Sequence, residues 1–260
     1  MNWAEIVALI VSGFLVGFIN TLAGGGTIIT VSLLLFLGLP ATVANGTNRV
    51  AVVFQTLVAV ISFRKQKLLD TRKGLGFSVP TVLGSVLGAM IAAHFEESMM
   101  QKVIALVMIM MLFFILYKPE RWLKSRPDLI EKRISVFQLV VFFLIGFYGG
   151  FIHMGVGFFL IAFLVMSGGY DLVKANAIKN LIVLAYAPFA LVVFMFNGQV
   201  NYQYGLIISI GNVGGAWLAS HFAVNKGANF IRWVIVAVII ITSLQLLGII
   251  NFKDIFSAIL

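Results

Sequence analysis

Long apolar stretches separated by short polar ones run along the whole chain. About 20 apolar residues are needed to cross a bilayer as a helix. The stretches are continuous, as in 103–117, whereas membrane-spanning strands would alternate apolar and polar positions. The pattern therefore predicts an all-α polytopic membrane protein with helical segments at 4–22, 26–39, 44–63, 74–94, 98–117, 134–155, 158–168, 176–196, 205–221 and 231–250.

Composition excludes a soluble domain. Of 260 residues, 61% are hydrophobic and 10% are charged, whereas an ordinary soluble domain has about 25% charged residues. The chain has no cysteine, which excludes disulfides and thiolate metal sites. Its first residues lack the basic region of a cleavable signal, so we expect the first apolar segment to be retained.

The basic residues predict the orientation in the membrane. Loops 64–73 and 118–133 hold 11 of the 18 Lys and Arg residues, and the positive-inside rule makes both loops cytoplasmic. Loop 197–204 has no Lys or Arg and is predicted to be external. We expect a multi-pass protein of a bacterial-type inner membrane with both termini external. The net charge of +9 then faces the cytoplasm and does not indicate nucleic-acid binding.

The sequence contains an internal repeat. Residues 13–19 align with 146–152, 44–45 with 175–176, and 84–95 with 211–222, in the same order. We predict a first membrane repeat at 1–118, a basic linker at 119–133 and a second repeat at 134–260. Equivalent loops have opposite charge character, so the repeats are predicted to be inverted, as in many secondary transporters. Each repeat then has about five helical segments, either all crossing or including one re-entrant hairpin.

Glycines break the first segment of each repeat, at Ala23–Thr27 and at Met154–Gly157. Glycine allows a sharp turn, and irregular backbone at membrane depth must be buried or line a cavity. A helix beginning at such a break would direct free N–H groups at an anion. The alternative is that these glycines allow close helix packing.

Two cations lie within apolar segments. Arg49 and Lys179 are each about 8 Å into a segment, at 1.5 Å per residue, and they enter from opposite faces. Every carboxylate falls at a segment end or in a loop. Since charges inside a membrane usually mark functional sites, we expect a bound anion to supply the counter-charge. Snorkelling of both side chains to the interface is the alternative.

Polar residues surround these cations in both repeats. His153 occupies the position of Asn20 and could bind the anion or titrate near neutral pH. His94 and His221 are expected at the membrane edges, and each asparagine could instead join helices by hydrogen bonds. The predicted substrate-binding residues are Asn20, Thr21, Gly24, Gly25, Gly26, Asn45, Thr47, Asn48, Arg49, His153, Asn176, Lys179 and Asn180.

The sequence predicts no catalytic or cofactor site. It has no cluster with metal-ligand spacing, no phosphate loop and no nucleophile–base set, so we expect neither an enzyme nor a cofactor. Asp171 is expected to cap a helix beside Lys174, outside the site. A homodimer is left open.

Residues 18–26 (FINTLAGGG), followed by Pro40 and by residues 44–49 (ANGTNR), resemble the sulfite exporter TauE/SafE family. The resemblance covers essentially the whole chain, although Lys179 and Asn180 stand in the second repeat where the first has Asn48 and Arg49. It implies export of sulfite or organosulfonates. The residues themselves leave open a carrier or channel for another small anion, such as a carboxylate, and a non-transporting membrane scaffold.

Overall fold

The computed structural model describes residues 3–96, 98–100, 102–103, 106, 127–130 and 133–222. Within these residues the chain is helical, as predicted, and no strand occurs. The main helices are α1 (Trp3–Leu22), α2 (Thr27–Phe36), α3 (Ala41–Lys65), α4 (Thr71–Ala93), α5 (Val136–Phe151), α6 (Val156–Met166), α7 (Leu172–Phe196) and α8 (202–222). A single helical turn also occurs at Pro127–Ile130.

Helices α1, α3, α4 and α7 are long and apolar enough to cross a membrane. By contrast, α2 has 10 residues and is about 15 Å long at 1.5 Å per residue, too short to cross. The predicted segment 231–250, most of 98–117 and most of the linker 119–133 lie outside the described residues.

Three long helices, α3, α4 and α7, begin three or four residues earlier than the sequence pattern predicts. Aspartate side chains cap α4 and α7, whereas α3 begins directly after a proline. Helix α3 follows Pro40 and begins at Ala41 rather than at residue 44. Helix α7 begins at Leu172 rather than at 176, after Asp171, whose Oδ1 accepts the amide of Lys174 at 2.9 Å. The predicted capping role of Asp171 is confirmed. The longer helices place Arg49 about 12 Å and Lys179 about 10 Å from the helix start.

Four glycine pairs at i, i+4 spacing bring helices into backbone contact. Gly84 and Gly88 of α4 meet α5 next to Gly146 and Gly150, and a Cβ on Gly150 would lie 1.9 Å from the Ser85 carbonyl oxygen. The same spacing in α1 and α8 joins those two helices, at Gly13, Gly17, Gly211 and Gly215. Small residues allow such close packing in membranes. In both contacts, α4 with α5 and α1 with α8, one helix comes from each half of the chain.

Helices α3 and α7 pack in opposite directions. Gly46, near the start of α3, lies against the carbonyl of Gln199, beyond the end of α7. At the other end, Tyr170 Oη donates to Asp70 Oδ2 at 2.7 Å. Burial, together with this hydrogen bond and the carboxylate charge, raises the pKa of Tyr170. Helices α3 and α7, which the predicted repeat makes equivalent, are thus linked near both ends.

Adjacent glycines of α8 test this packing. A Cβ on Gly215 would lie 2.0 Å from the Phe14 carbonyl oxygen, whereas one on Gly214 would meet only the Phe14 ring, at 3.4 Å. We expect Gly215→Ala to destabilise the protein by about 1–3 kcal/mol through overpacking. Gly214→Ala should be neutral or stabilising, because alanine favours helix more than glycine does. Thermal unfolding in detergent measures both, and equal melting temperatures would contradict the proposed packing.

Candidate functional site

The two helix breaks touch each other. Gly24 has φ +91°, and a Cβ on it would lie 2.3 Å from the Cα of Gly157. A Cβ on Gly157 would in turn lie 2.4 Å from the Cα of Gly24. Neither position has room for a side chain, and the φ of Gly24 also favours glycine. The predicted breaks therefore exist, and they meet at one point in the interior.

The first break is held by the Asn20 side chain. Its Oδ1 accepts the amides of Gly26 at 2.7 Å and Thr27 at 3.3 Å, and its Nδ2 donates to Thr27 Oγ1 at 3.0 Å. Two amides at the start of α2 are therefore already hydrogen-bonded. The glycine break had led us to expect free N–H groups that point into a cavity, and this expectation is wrong for these two amides.

The second break has a different local structure. His153 has φ +68°, and so has Gly155; this backbone region is uncommon for residues other than glycine. The His153 ring Nδ1 lies 2.9 Å from Tyr186 Oη, and Tyr148 Oη donates to the carbonyl of Met154. Tyrosines from α5 and α7 thus hold the turn in which His153 replaces Asn20.

Arg49 is fully buried and does not snorkel. Its Nη1 donates to the Gly149 carbonyl at 3.1 Å and its Nη2 to the Gly150 carbonyl at 2.5 Å. Its guanidinium lies 4.8 Å from the centre of the Phe194 ring. The carbonyls belong to the last turn of α5, where the helix dipole is negative and favours a cation.

Lys179 contacts the corresponding end of the other broken helix. It is 1% exposed, and its Nζ donates to the carbonyls of Asn20 at 2.6 Å and Thr21 at 3.0 Å. Asn180 Nδ2 also donates to the Thr21 carbonyl, at 3.2 Å. Each buried cation thus binds the carboxyl end of a helix from the opposite half. Main-chain oxygens supply acceptors that the sequence did not reveal.

A small cavity lies beside the contact between the breaks. Its volume is about 20 Å³, room for about one water molecule. Predicted site residues in its wall are Asn20, Gly24, His153, Lys179 and Asn180. The remaining wall residues were not among the predicted binding residues, although Gly157 belongs to the predicted second break: Val52, Gln55, Thr56, Val156, Gly157 and Val183. A polar residue deep in an apolar segment was the available signal for Gln55.

The other predicted residues are buried nearby but do not line this cavity: Thr21, Gly25, Gly26, Asn45, Thr47, Asn48, Arg49 and Asn176. Several join helices or loops. Asn45 Nδ2 donates to the Phe151 carbonyl at 2.8 Å, and Thr47 Oγ1 accepts the amide of Asn201 at 2.8 Å. Asn48 Oδ1 accepts from Thr30 Oγ1 at 2.6 Å. Both side-chain polar atoms of Asn176 are buried without a partner in the described part of the chain.

Comparisons with known proteins identify the family of the chain. The sequence profile of the sulfite exporter TauE/SafE family matches residues 9–246. The chain belongs to this family. No solved structure gives a significant match to the chain.

Its relatives are named as probable membrane transporters. One from Sinorhizobium, ORF9, is 30% identical over 92% of this chain and 91% of its own length. YfcA of Escherichia coli is 27% identical over 90% of this chain and 86% of its own. YunE of Bacillus subtilis is 26% identical over 85% of this chain and 89% of its own. These relatives and the apolar helices identify a multi-pass membrane transporter.

The buried guanidinium provides a test of the carbonyl contacts. Arg49→Lys keeps the charge but cannot reach both carbonyls in the same forked geometry. We expect it to lower stability by about 1–3 kcal/mol, because a buried acceptor loses its donor. Arg64→Lys, at the exposed end of the same helix, is the matched control. Thermal unfolding in detergent compares the two, and an unchanged Arg49→Lys protein would show that the contacts contribute little.

Proposed function

We propose that this protein exports small sulfur-containing anions, sulfite or organosulfonates, from the cytoplasm by alternating access. The observation that carries the proposal is the cavity at the contact of the two breaks, which has the basic residue Lys179 in its wall. The name of the family adds the substrate class.

The chemistry of the cavity wall favours an anion. An ammonium group has three N–H donors, and two of those of Lys179 bind carbonyls. The third has no acceptor among the residues that the structure describes and is available to a ligand. The wall residues include no carboxylate, so no negative charge competes with a bound oxyanion. With room for about one water molecule, the site must open to admit even a small anion.

Two features of the helix packing support the proposed inverted repeat. The equivalent helices α3 and α7 run in opposite directions, and the equivalent glycines Gly24 and Gly157 touch. A substrate site at the interface of such repeats is a recurrent feature of secondary transporters. These contacts support alternating access around the cavity between the halves.

The membrane potential can drive the export of an anion. An interior that is negative by 100 mV favours outward movement of one negative charge by about 2.3 kcal/mol. Export therefore needs no coupled ion on energetic grounds. The same cavity chemistry would also accept a small carboxylate, and transport assays must separate these substrates.

Efflux from proteoliposomes tests the proposal. Vesicles loaded with sulfite, sulfoacetate, sulfate or a small carboxylate are compared for wild type, Lys179→Gln and Lys174→Gln. We expect wild type to release sulfite or sulfoacetate, faster when the anion-loaded side is negative. Lys179→Gln should reduce efflux at least about tenfold, since a hydrogen bond to a charged group contributes about 1.5–3 kcal/mol.

Lys174→Gln is the matched control, because Lys174 lies on the same helix with a side chain that is 50% exposed. It should transport as wild type does. Release of the carboxylate alone would assign the chain to the alternative substrate class. Folded wild-type protein that releases none of these anions would leave a non-transporting scaffold as the better hypothesis.

The proposed orientation in an inner membrane can be tested with single cysteines, because the natural chain has none. Lys65 and Asn197 are both exposed at helix ends. In intact cells we expect a membrane-impermeant maleimide to label Asn197→Cys and not Lys65→Cys, whereas both should react after the membrane is opened. The reverse pattern would invert the proposed orientation and place both termini in the cytoplasm.

A further inference from the structure

Gln55 is a buried amide in the wall of the cavity. It lies in the middle of α3, is 2% exposed, and shares the cavity wall with Lys179 and His153. Side chains from two other helices approach it. Asn20 of α1 and Asn212 of α8 both direct their Nδ2 atoms at its Oε1, at 3.4 and 3.5 Å.

The backbone of the first break determines which way this amide points. The amides of Gly26 and Thr27 can only donate, so the atom of Asn20 that faces them must be its oxygen. The Nδ2 of Asn20 is therefore the atom that faces Gln55, and the atom of Gln55 that faces it must be Oε1. The second donor, from Asn212, agrees with this assignment.

This orientation leaves Gln55 Nε2 as a donor at the cavity. No residue in the described part of the chain accepts a hydrogen bond from it. Other side-chain atoms without a partner are completely enclosed by protein, but Gln55 Nε2 is not. Thr56, the neighbouring polar wall residue, differs, because its Oγ1 already donates to the Val52 carbonyl at 2.8 Å.

We propose that Gln55 Nε2 is a substrate-binding donor that, together with Lys179, binds an oxygen atom of the transported anion. The proposal rests on the proposed anion transport and adds a residue to its binding site. A neutral amide donor replaces part of the hydration shell of an oxyanion without adding a second full charge. The Asn20–Gln55 contact also connects ligand binding to the first break, since the same Asn20 side chain caps α2.

Gln55→Glu is the most specific test of the Nε2 donor. It keeps the oxygen that Asn20 and Asn212 approach and replaces only the donor, with a negatively charged oxygen. We expect the apparent KM for sulfite to rise about 100-fold or more. Gln55→Met, similar in size and uncharged, removes the donor together with the oxygen that Asn20 and Asn212 approach, and should raise KM about 10- to 100-fold, as expected for one lost hydrogen bond to an anion. The maximal rate should change much less than KM.

The matched control is Gln66→Met, the same substitution at the cytoplasmic end of α3, where the Gln66 amide donates to Ser62. It should leave KM within about twofold of wild type. Thermal unfolding in detergent, with and without sulfite, accompanies each assay. Wild type and Gln66→Met should be stabilised by sulfite, whereas the melting temperature of Gln55→Glu should not change when sulfite is added.

The outcomes separate the two proposals. If Gln55→Met and Gln55→Glu keep the wild-type KM while Lys179→Gln is inactive, the anion site stands and the role of Gln55 is wrong. If the wild type neither moves sulfite nor is stabilised by any of the tested anions, both proposals fail. If the Gln55 variants lower the maximal rate and the melting temperature but leave KM unchanged, Gln55 has a structural role only.

Discussion

The contact between Gly24 and Gly157 is the constraint on which the interior depends. Backbone meets backbone there, and neither position can carry a side chain. The contact brings the carboxyl ends of two broken helices into an apolar interior, where unpaired carbonyls are costly. Arg49 and Lys179 solve this problem, since each donates to the last carbonyls of the broken helix from the opposite half. The two buried basic side chains are thus a consequence of the breaks, and in the proposed site Lys179 would also bind the anion.

The two halves differ in where the buried basic residue lies and in how the break is held. Lys179 lines the cavity, whereas Arg49 donates to carbonyls and lies against the Phe194 ring outside the cavity wall. At the breaks, Asn20 caps α2 with its oxygen, and His153, its repeat equivalent, contacts Tyr186 instead. A symmetric site would present the same groups from both sides. The cavity wall instead has Lys179, His153 and Asn180 from the second half and the amides of Asn20 and Gln55 from the first, an asymmetry that would favour one orientation of a bound ligand.

The sequence predicted the helices of the described residues and both breaks, because apolar continuity and glycine clusters are local signals. It could not predict the partners of Arg49 and Lys179, because these partners are main-chain carbonyls. Every residue has one, so residue identity does not indicate which carbonyls accept. It also treated the α2 amides as available for a ligand, although the nearby Asn20 caps them. Gln55 was missed because one amide in an apolar helix resembles an ordinary interhelical contact, and its role emerges only from the chain of donors around it.

The glycine contacts also restrict how access could alternate. Helix α1 is packed by backbone contact on α8, and α4 on α5, so each close pair contains one helix from each half. Separating the halves as whole units would break both pairs at their tightest points. A movement that keeps the pairs intact instead shifts the α1–α8 pair relative to the α4–α5 pair. The breaks at the ends of α1 and α5 would then be the hinges, and the cavity beside them would open as the pairs move.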